Sequence, residues 1–313
     1  MTGLRVTRAG PVCTVQDAGR QGFGRFGITP AGPMDWVAMA TANRVIGNPA
    51  GEAVIEVGPG GMTVTPQDDN QRIGLSAQGF RVMLDGRSLP TRLAVTLRAG
   101  QDLAITPGPA GNWAYLALPG GIDRPEVMGS RATHLRSGLG GGAVQAGDLV
   151  AALHPSHDHP DTGLYPPASR DDAPIRFILG PQDDLFAPET LLLLQSARFV
   201  LSPRSDRMAY RLTGPALPAP SGHDIVSDGI PLGAIQVPGD GQPLVLMADR
   251  QSTGGYPKIG CVIRADLPRL AQTRPGQAVR FEAVTVEKAV AALRTAQANL
   301  AAMDQFRRAI RFL

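Results

Sequence analysis

Hydrophobic residues fall along this chain in short runs divided by Gly, Pro, Asn and Asp, the pattern of brief strands joined by tight turns. Residues 4–7 and 11–15 open it as β-rich pieces. Glycines then interrupt at Gly19, Gly22, Gly24, Gly27 and Gly32, before Met34, Val37, Ala38, Thr41, Ala42 and Val45 recur at helical spacing. A helix over 33–46 is predicted, with Pro33 suited to its first turn and Gly47 and Pro49 to its end. From residue 53 to 150 the predicted strands are 54–57, 62–64, 80–84, 94–97, 103–105 and 113–118, with Asp85-Gly86 and Ala99-Gly100 as turn dipeptides.

Residues 154–174, rich in Pro and His and without periodicity, read as a linker. A second lobe follows, with strands predicted at 177–179, 199–201, 235–237, 244–247, 258–263 and 279–282 and a short helix at 188–196. The tail, 286–310, carries Val286, Val290, Leu293, Ala296, Leu300, Met303, Phe306 and Ile310 on one helical stripe, expected to pack on a lobe or a partner subunit. The predicted plan is mainly β: an N-terminal lobe 1–153 with one helix, a linker 154–174, a C-terminal lobe 175–285 and a terminal helix 286–313.

Composition sharpens this plan. The 313 residues suit about two domains. With 43% hydrophobic and only 18% charged residues, the composition argues against intrinsic disorder; 38 glycines and 28 prolines exclude a long helical bundle. The net charge of +3 is scattered and forms no basic stripe, so nucleic-acid binding is not indicated. Cys13 and Cys261 are too few and too far apart for a disulfide framework or a zinc site. Met1 to Val6 shows no secretory pattern and no apolar run approaches membrane-spanning length, so a cytoplasmic location is expected.

Several polar groupings could carry chemistry. Gly22-Phe-Gly24-Arg-Phe-Gly27 fits G-x-G-x-x-G, but Pro30, Gly32 and Pro33 forbid the helix that must follow, so dinucleotide binding is not predicted. His154, His157 and His159 have ligand-type side chains but sit on no rigid element, and no metal site is assigned. One cluster holds Gln16, Asp17 and Arg20, then Asp35, Asn43, Asn48 and Glu56; it could form a site or cap loops. A second spans Asp249-Arg-Gln-Ser-Thr-Gly-Gly-Tyr-Pro-Lys258 after a strand, where positioned polar groups commonly work. Of 30 basic residues only Lys258 and Lys288 are lysines, which marks Lys258 as a compact ammonium or titratable amine. Asp206, Arg207, Tyr210 and Arg211 form a third cluster suited to an anionic substrate, or to an ordinary strand with ion pairs. Gly138 to Gly142 could present backbone N–H groups to an oxyanion, or simply turn the chain.

These clusters carry a resemblance. Thr14-Val-Gln-Asp-Ala-Gly-Arg20, Pro30-Ala-Gly-Pro-Met-Asp35, Ala42-Asn-Arg-Val-Ile-Gly-Asn48, Gly129-Ser-Arg-Ala-Thr133, Ser205-Asp-Arg-Met-Ala-Tyr-Arg-Leu212, Gly233-Ala-Ile-Gln-Val-Pro238 and Asp249 to Lys258 occur in the order found in the KipA family. That family is also described as allophanate hydrolase subunit 2-like or biotin-dependent carboxyltransferase-like, and includes the C subunits (PxpC) of bacterial 5-oxoprolinase. The resemblance implies two cyclophilin-like β-barrel domains, a KipI-like partner (PxpB), a LamB/YcsF-like partner (PxpA), and ATP-dependent opening of 5-oxo-L-proline to L-glutamate. ATP could be held by a partner or at an interface. Two other readings remain: carboxyl transfer from biotin to a urea-type amide, and a non-catalytic regulator that binds a partner. The expected roles are carboxylate or phosphate binding by Arg207 and Arg250, and proton or charge handling by Tyr256 and Lys258. Gln236 and Gln251 are expected to hydrogen-bond the amide, and Asp206 to orient an Arg. Tyr210, Thr253, Gln16, Asp17, Arg20 and Asp35 complete the expected substrate-binding set.

Overall fold

The structure, a computed structural model, describes residues 3–154, 160–164, 172–219 and 222–309. It is mainly β and separates into two compact units: Met1–Arg20, Ala31–Ala168 and Asn299–Leu313 form one, Gln21–Pro30 and Ser169–Ala298 the other. Each unit therefore takes a segment that the chain order assigns to the opposite lobe. The glycine-rich stretch Gln21–Pro30 belongs with the second unit, and the end of the chain with the first.

The first unit has two sheets. One orders Leu149–Val150, Leu4–Ala9, Met62–Pro66, Leu103–Thr106, Arg81–Leu84 and Arg87–Ser88; the other orders Cys13–Gln16, Val54–Val57, Ala114–Ala117, Gln71–Ser76, Arg92–Leu97, Thr162–Leu164 and Arg307–Ala309. Leu4, Val6, Met62 and Ile105 from the first sheet share one buried cluster with Val15, Ile55, Leu75 and Leu116 from the second. Asp85 and Gly86 both take positive φ, 46° and 80°, the paired left-handed turn that an Asp-Gly hairpin requires. The helix runs Trp36–Arg44, starting later than Pro33 because Asp35 caps it: its side chain accepts from the Ala38 N–H at 2.9 Å.

The second unit has an eight-stranded sheet ordered Ala278–Val279, Phe199–Leu201, Ala209–Thr213, Leu244–Leu246, Ala234–Gln236, Lys258–Val262, Ile175–Leu179 and Phe281–Ala283. Its two edge strands are separated along the chain only by Arg280, so the sheet curls until it nearly closes on itself. Phe177, Phe199 and Phe281 fill it, meeting edge-to-face at 6.1 and 6.0 Å between centroids. The helix Pro188–Ser196 forms with its expected bounds.

Two expectations change. Within 154–174 the chain supplies a strand, Thr162–Leu164, which pairs with Arg92–Leu97 and with Arg307–Ala309. Three residues are too few to show a period, and what holds them is tertiary: Leu164 is buried with Val45 and Ala94, and Asp161 is ion-paired to Arg72. The terminal helix ends at Ala301; a 3₁₀ turn, Ala302–Phe306, and the strand Arg307–Ala309 follow. Met303 and Phe306 pack against the Val45, Ala94 and Leu164 cluster. Its expected stripe is only partly covered: Leu300 is buried, whereas Val286 and Val290 are exposed. His157 and His159 lie outside the described residues.

Candidate functional site

Lys258 opens its strand directly opposite Gln236, where a register shift between Ile235 and Gln236 displaces the ladder. Its side chain is 2% exposed, and its Nζ lies 3.2 Å from Asp228 Oδ2. Among the described residues no acceptor is aligned for a hydrogen bond from this buried ammonium. A charge removed from water needs an opposite charge close by, and Asp228 supplies it as an ion pair from a largely exposed position. The Gly229 N–H donates to Asp228 Oδ1 at 2.6 Å; that bond first, and then Lys258, holds the Asp228 carboxyl below its ordinary range. Asp228 is placed by a two-stranded ribbon in which Asp228–Gly229 pairs with Thr253–Gly254. Gln182, in the turn after Ile175–Leu179, accepts from the Lys258 backbone N–H at 3.1 Å.

Two amides converge beside this pair. A Cβ placed on Gly254 would lie 2.7 Å from Ile230 Cδ1, 2.9 Å from Gln251 Nε2 and 3.1 Å from Gln236 Nε2, so the ends of both amide side chains crowd this one backbone position. Gln236 is buried and donates to the Tyr256 carbonyl at 3.4 Å; Gln251 and Thr253 are exposed, and Tyr256 is 38% exposed. Arg250 donates from Nε to the Ile230 carbonyl at 3.0 Å, and desolvation lowers the pKa of its guanidinium. The arrangement combines an ammonium with donor capacity to spare, two side-chain amides and a desolvated guanidinium on one set of strand ends. It is chemically suited to an amide or carboxylate whose oxygen gains negative charge during reaction.

Not every expected residue joins it. Arg207 is buried and held bidentately by Asp249, at 2.9 and 2.8 Å, so its fork is engaged within the protein. The carboxylate that orients Arg207 is therefore Asp249; Asp206 instead accepts from the Met208 and Ala209 N–H groups at 2.8 and 3.0 Å, fixing a turn. Tyr210 is buried with its hydroxyl donated to the Ala271 carbonyl at 2.7 Å, which ties a strand to a helix rather than facing Lys258.

Most hydrogen bonds of the first-unit cluster go to the fold. Gln16 donates to Thr14 Oγ1 and the Thr133 carbonyl, both at 2.9 Å, and accepts from the Gly32 N–H. Asp17 accepts from the Gly19 N–H, the Ser130 hydroxyl and the Arg131 N–H at 2.8, 2.6 and 2.6 Å. Arg20, buried, donates to the Ala132 and Val127 carbonyls. Asp35 caps its helix. Its N–H donates to the Tyr115 hydroxyl at 2.8 Å, and that hydroxyl donates to Glu56 at 2.7 Å. Burial, reinforced by Glu56 and Asp35, pushes the Tyr115 phenol well above its ordinary pKa. Asn48 bridges Asn43, the Leu118 carbonyl and the Gly120 N–H. Gly138 to Gly142 form a turn closed by the His134 N–H to the Leu139 carbonyl.

The residues that sequence reasoning missed are Asp228 and Gln182. Asp228 sits in an ordinary polar stretch, Ser227-Asp-Gly229, and only strand pairing brings it to Lys258. Gln182 follows Gly180-Pro181 at a strand end, a turn signal that could have flagged it.

The family described as carboxyltransferase domain, subdomain A and B, matches residues 26–283. The chain is 36% identical over 292 residues to the C subunit of 5-oxoprolinase from Escherichia coli, covering 92% of this chain and 94% of that protein. It is 37% identical over 300 residues to the corresponding C subunit from Haemophilus influenzae, covering 95% of each. The K. lactis urea amidolyase superposes with a TM-score of 0.86 at 25% identity over 99% of this chain and 20% of that one. The chain covers 20% of the K. lactis urea amidolyase chain and 56% of the TTHA0988 chain, which it matches with a TM-score of 0.82 at 33% identity. With the family's extent matched across both units, this chain belongs to the carboxyltransferase domain, subdomain A and B, family.

Proposed function

We propose that this chain is the C subunit of an ATP-dependent 5-oxoprolinase, acting with KipI-like (PxpB) and LamB/YcsF-like (PxpA) partners to open 5-oxo-L-proline to L-glutamate. The observation that carries this reading is the buried Lys258 ammonium, paired with Asp228 and set opposite Gln236 in a chain otherwise committed to arginine. Two bacterial relatives of nearly the same length, both named as C subunits of 5-oxoprolinase, support it.

Opening the lactam adds water to the ring carbonyl carbon, breaks the C–N bond and delivers a proton to the ring nitrogen. Lys258 Nζ has the donor capacity to meet charge developing on the carbonyl oxygen, and Asp228 holds it in place. Gln236 and Gln251 complement the two sides of an amide, and Arg250 offers a cation toward the substrate carboxylate. Tyr256, half-exposed at the rim, is suited to proton exchange with solvent. ATP supplies the driving force for this uphill opening. The described residues near Lys258 do not fit a triphosphate: Arg207 is taken by Asp249, Arg250 Nε by a backbone carbonyl, and no phosphate-cradling glycine motif is present. No step of this chain is therefore routed through it.

The test is glutamate formation from 5-oxoproline and ATP by the reconstituted assembly, omitting each subunit in turn. Activity that disappears without this chain supports the reading; undiminished activity without it would overturn it. The family description and the urea amidolyase likeness favour a second reading, carboxyl transfer from carboxybiotin to an amide at the same cluster. Avidin-sensitive carboxylation of urea by the assembly would select that alternative.

A further inference from the structure

Gln182 stands in the turn that leaves the strand Ile175–Leu179, and this turn is fastened to the strand of Lys258. The Gly180 N–H donates to the Ile259 carbonyl at 3.1 Å. A Cβ on Gly180 would overlap the Lys258 carbonyl oxygen and lie 2.8 Å from the Gly260 nitrogen, both backbone atoms, so the turn runs pressed against Lys258. The Gln182 carbonyl accepts from the Leu185 N–H at 3.3 Å as the 3₁₀ turn Asp183–Leu185 begins. Its main chain is thus fixed independently of its side chain.

Both ends of the side-chain amide are used. Its Oε1 accepts from the Lys258 N–H at 3.1 Å, where the register shift between Ile235 and Gln236 disturbs the ladder. Its N–H donates to the Asp228 carboxyl; after Gly229 and Lys258, this bond adds to what keeps Asp228 ionised. Among the described residues the charge acting on Asp228 is that of Lys258. Asp228 itself lies outside the eight-stranded sheet, on the two-residue pairing of Asp228–Gly229 with Thr253–Gly254. A largely exposed carboxylate on so short a ribbon needs a tie to the larger sheet if its distance to Lys258 is to be kept.

We propose that Gln182 is a positioning residue: its one amide receives the Lys258 N–H and donates to the Asp228 carboxylate, and so holds ammonium and carboxylate in register across two separate sheets. A side-chain amide suits this double duty because it carries an acceptor and a donor on one neutral, planar group. Gln182 touches no reacting atom and acts through its two neighbours. Its effect on turnover rests on the lactam-opening reading; its effect on the ion pair does not.

The experiment is an NMR titration of the Asp228 carboxyl carbon in the full chain, followed together with the Gln182 side-chain N–H resonances. In the native chain those resonances should move with the Asp228 midpoint. Gln182→Glu keeps the acceptor and sets a negative charge beside Asp228, so the midpoint should rise by about one pH unit; Gln182→Met, which loses both bonds, should raise it less. In the reconstituted assembly both variants should lower kcat for glutamate formation by about tenfold, with KM within about twofold of native, since Gln182 does not bind substrate. The acid limb of the Gln182→Glu pH profile should move upward with the Asp228 midpoint. Gln182 resonances indifferent to Asp228 in the native chain would overturn the proposal even if neither variant folds. So would an unchanged midpoint in folded Gln182→Glu, or an unchanged kcat in a variant whose midpoint has moved. A native assembly that makes no glutamate would remove the lactam reading and leave the titrations to decide the contact.

Discussion

Two polar clusters, one in each unit, look alike in composition and differ in what their side chains have left to offer. In the first unit, Gln16, Asp17, Asn48 and Glu56 are hydrogen-bonded to backbone or side-chain groups from other segments. In the second, Lys258 Nζ keeps donor capacity beside its Asp228 partner, and Gln251 stands exposed next to the buried Gln236. Buried polar groups must be paired, so the first cluster reads as architecture. A buried ammonium held by a solvent-exposed carboxylate is a weaker structural device and a better chemical one. Residue type alone does not separate the two cases; the destination of each hydrogen bond does.

The sharpest way to break this contrast is Lys258→Met in the reconstituted assembly. Met nearly fills the same space, so the chain should fold, while glutamate formation should fall by about a hundredfold or more if Lys258 handles the reacting carbonyl. Full activity would remove Lys258 from the chemistry and collapse the distinction between the clusters. Tyr115→Phe probes the other side. It strips Glu56 and the Asp35 N–H of a buried partner and should lower stability by about 1–3 kcal/mol in denaturant titration, while activity per folded molecule is retained. An activity loss without a stability loss would mean that the first cluster is also a site.

The smallest effect is expected at Asp228. Because its folded pKa is depressed, its contact with Lys258 is present above the ordinary carboxylate pKa and is lost only as pH falls through the lowered folded value. Activity of the native chain should therefore show no Asp228 step near neutral pH and decline only in acid. Asp228→Asn should lower kcat at neutral pH by about tenfold through a less constrained ammonium, and should remove that acid limb from the pH profile. An unchanged profile would assign Asp228 to the ribbon alone.

Much of the fold was legible in local pattern. Strands 54–57 and 199–201 and the helix 188–196 have the bounds that their apolar runs imply, and Asp85-Gly86 makes the left-handed turn its residues favour. The glycine motif at 22–27 ends in a left-handed Gly27 rather than in a helix, as Pro30 and Pro33 require. The strands Thr162–Leu164 and Arg307–Ala309 were not legible, since each is three residues long and exists only because the other, or Arg92–Leu97, supplies its hydrogen bonds. Asp206 and Asp249 flank arginines in similar ways along the chain; only folding decided that Asp249 grips Arg207 and Asp206 caps a turn.

By itself the sequence determined the mainly β character, the places where the chain must turn, and the concentration of Lys258, Gln236, Gln251 and Arg250 near strand ends, because these follow from backbone preference and spacing between neighbours. Tertiary structure alone decided which polar residues are spent and which remain available, and that Asp228 meets Lys258. Those outcomes depend on partners brought together from distant positions, and hydrogen-bond pairing across such distances leaves no periodic trace in one chain.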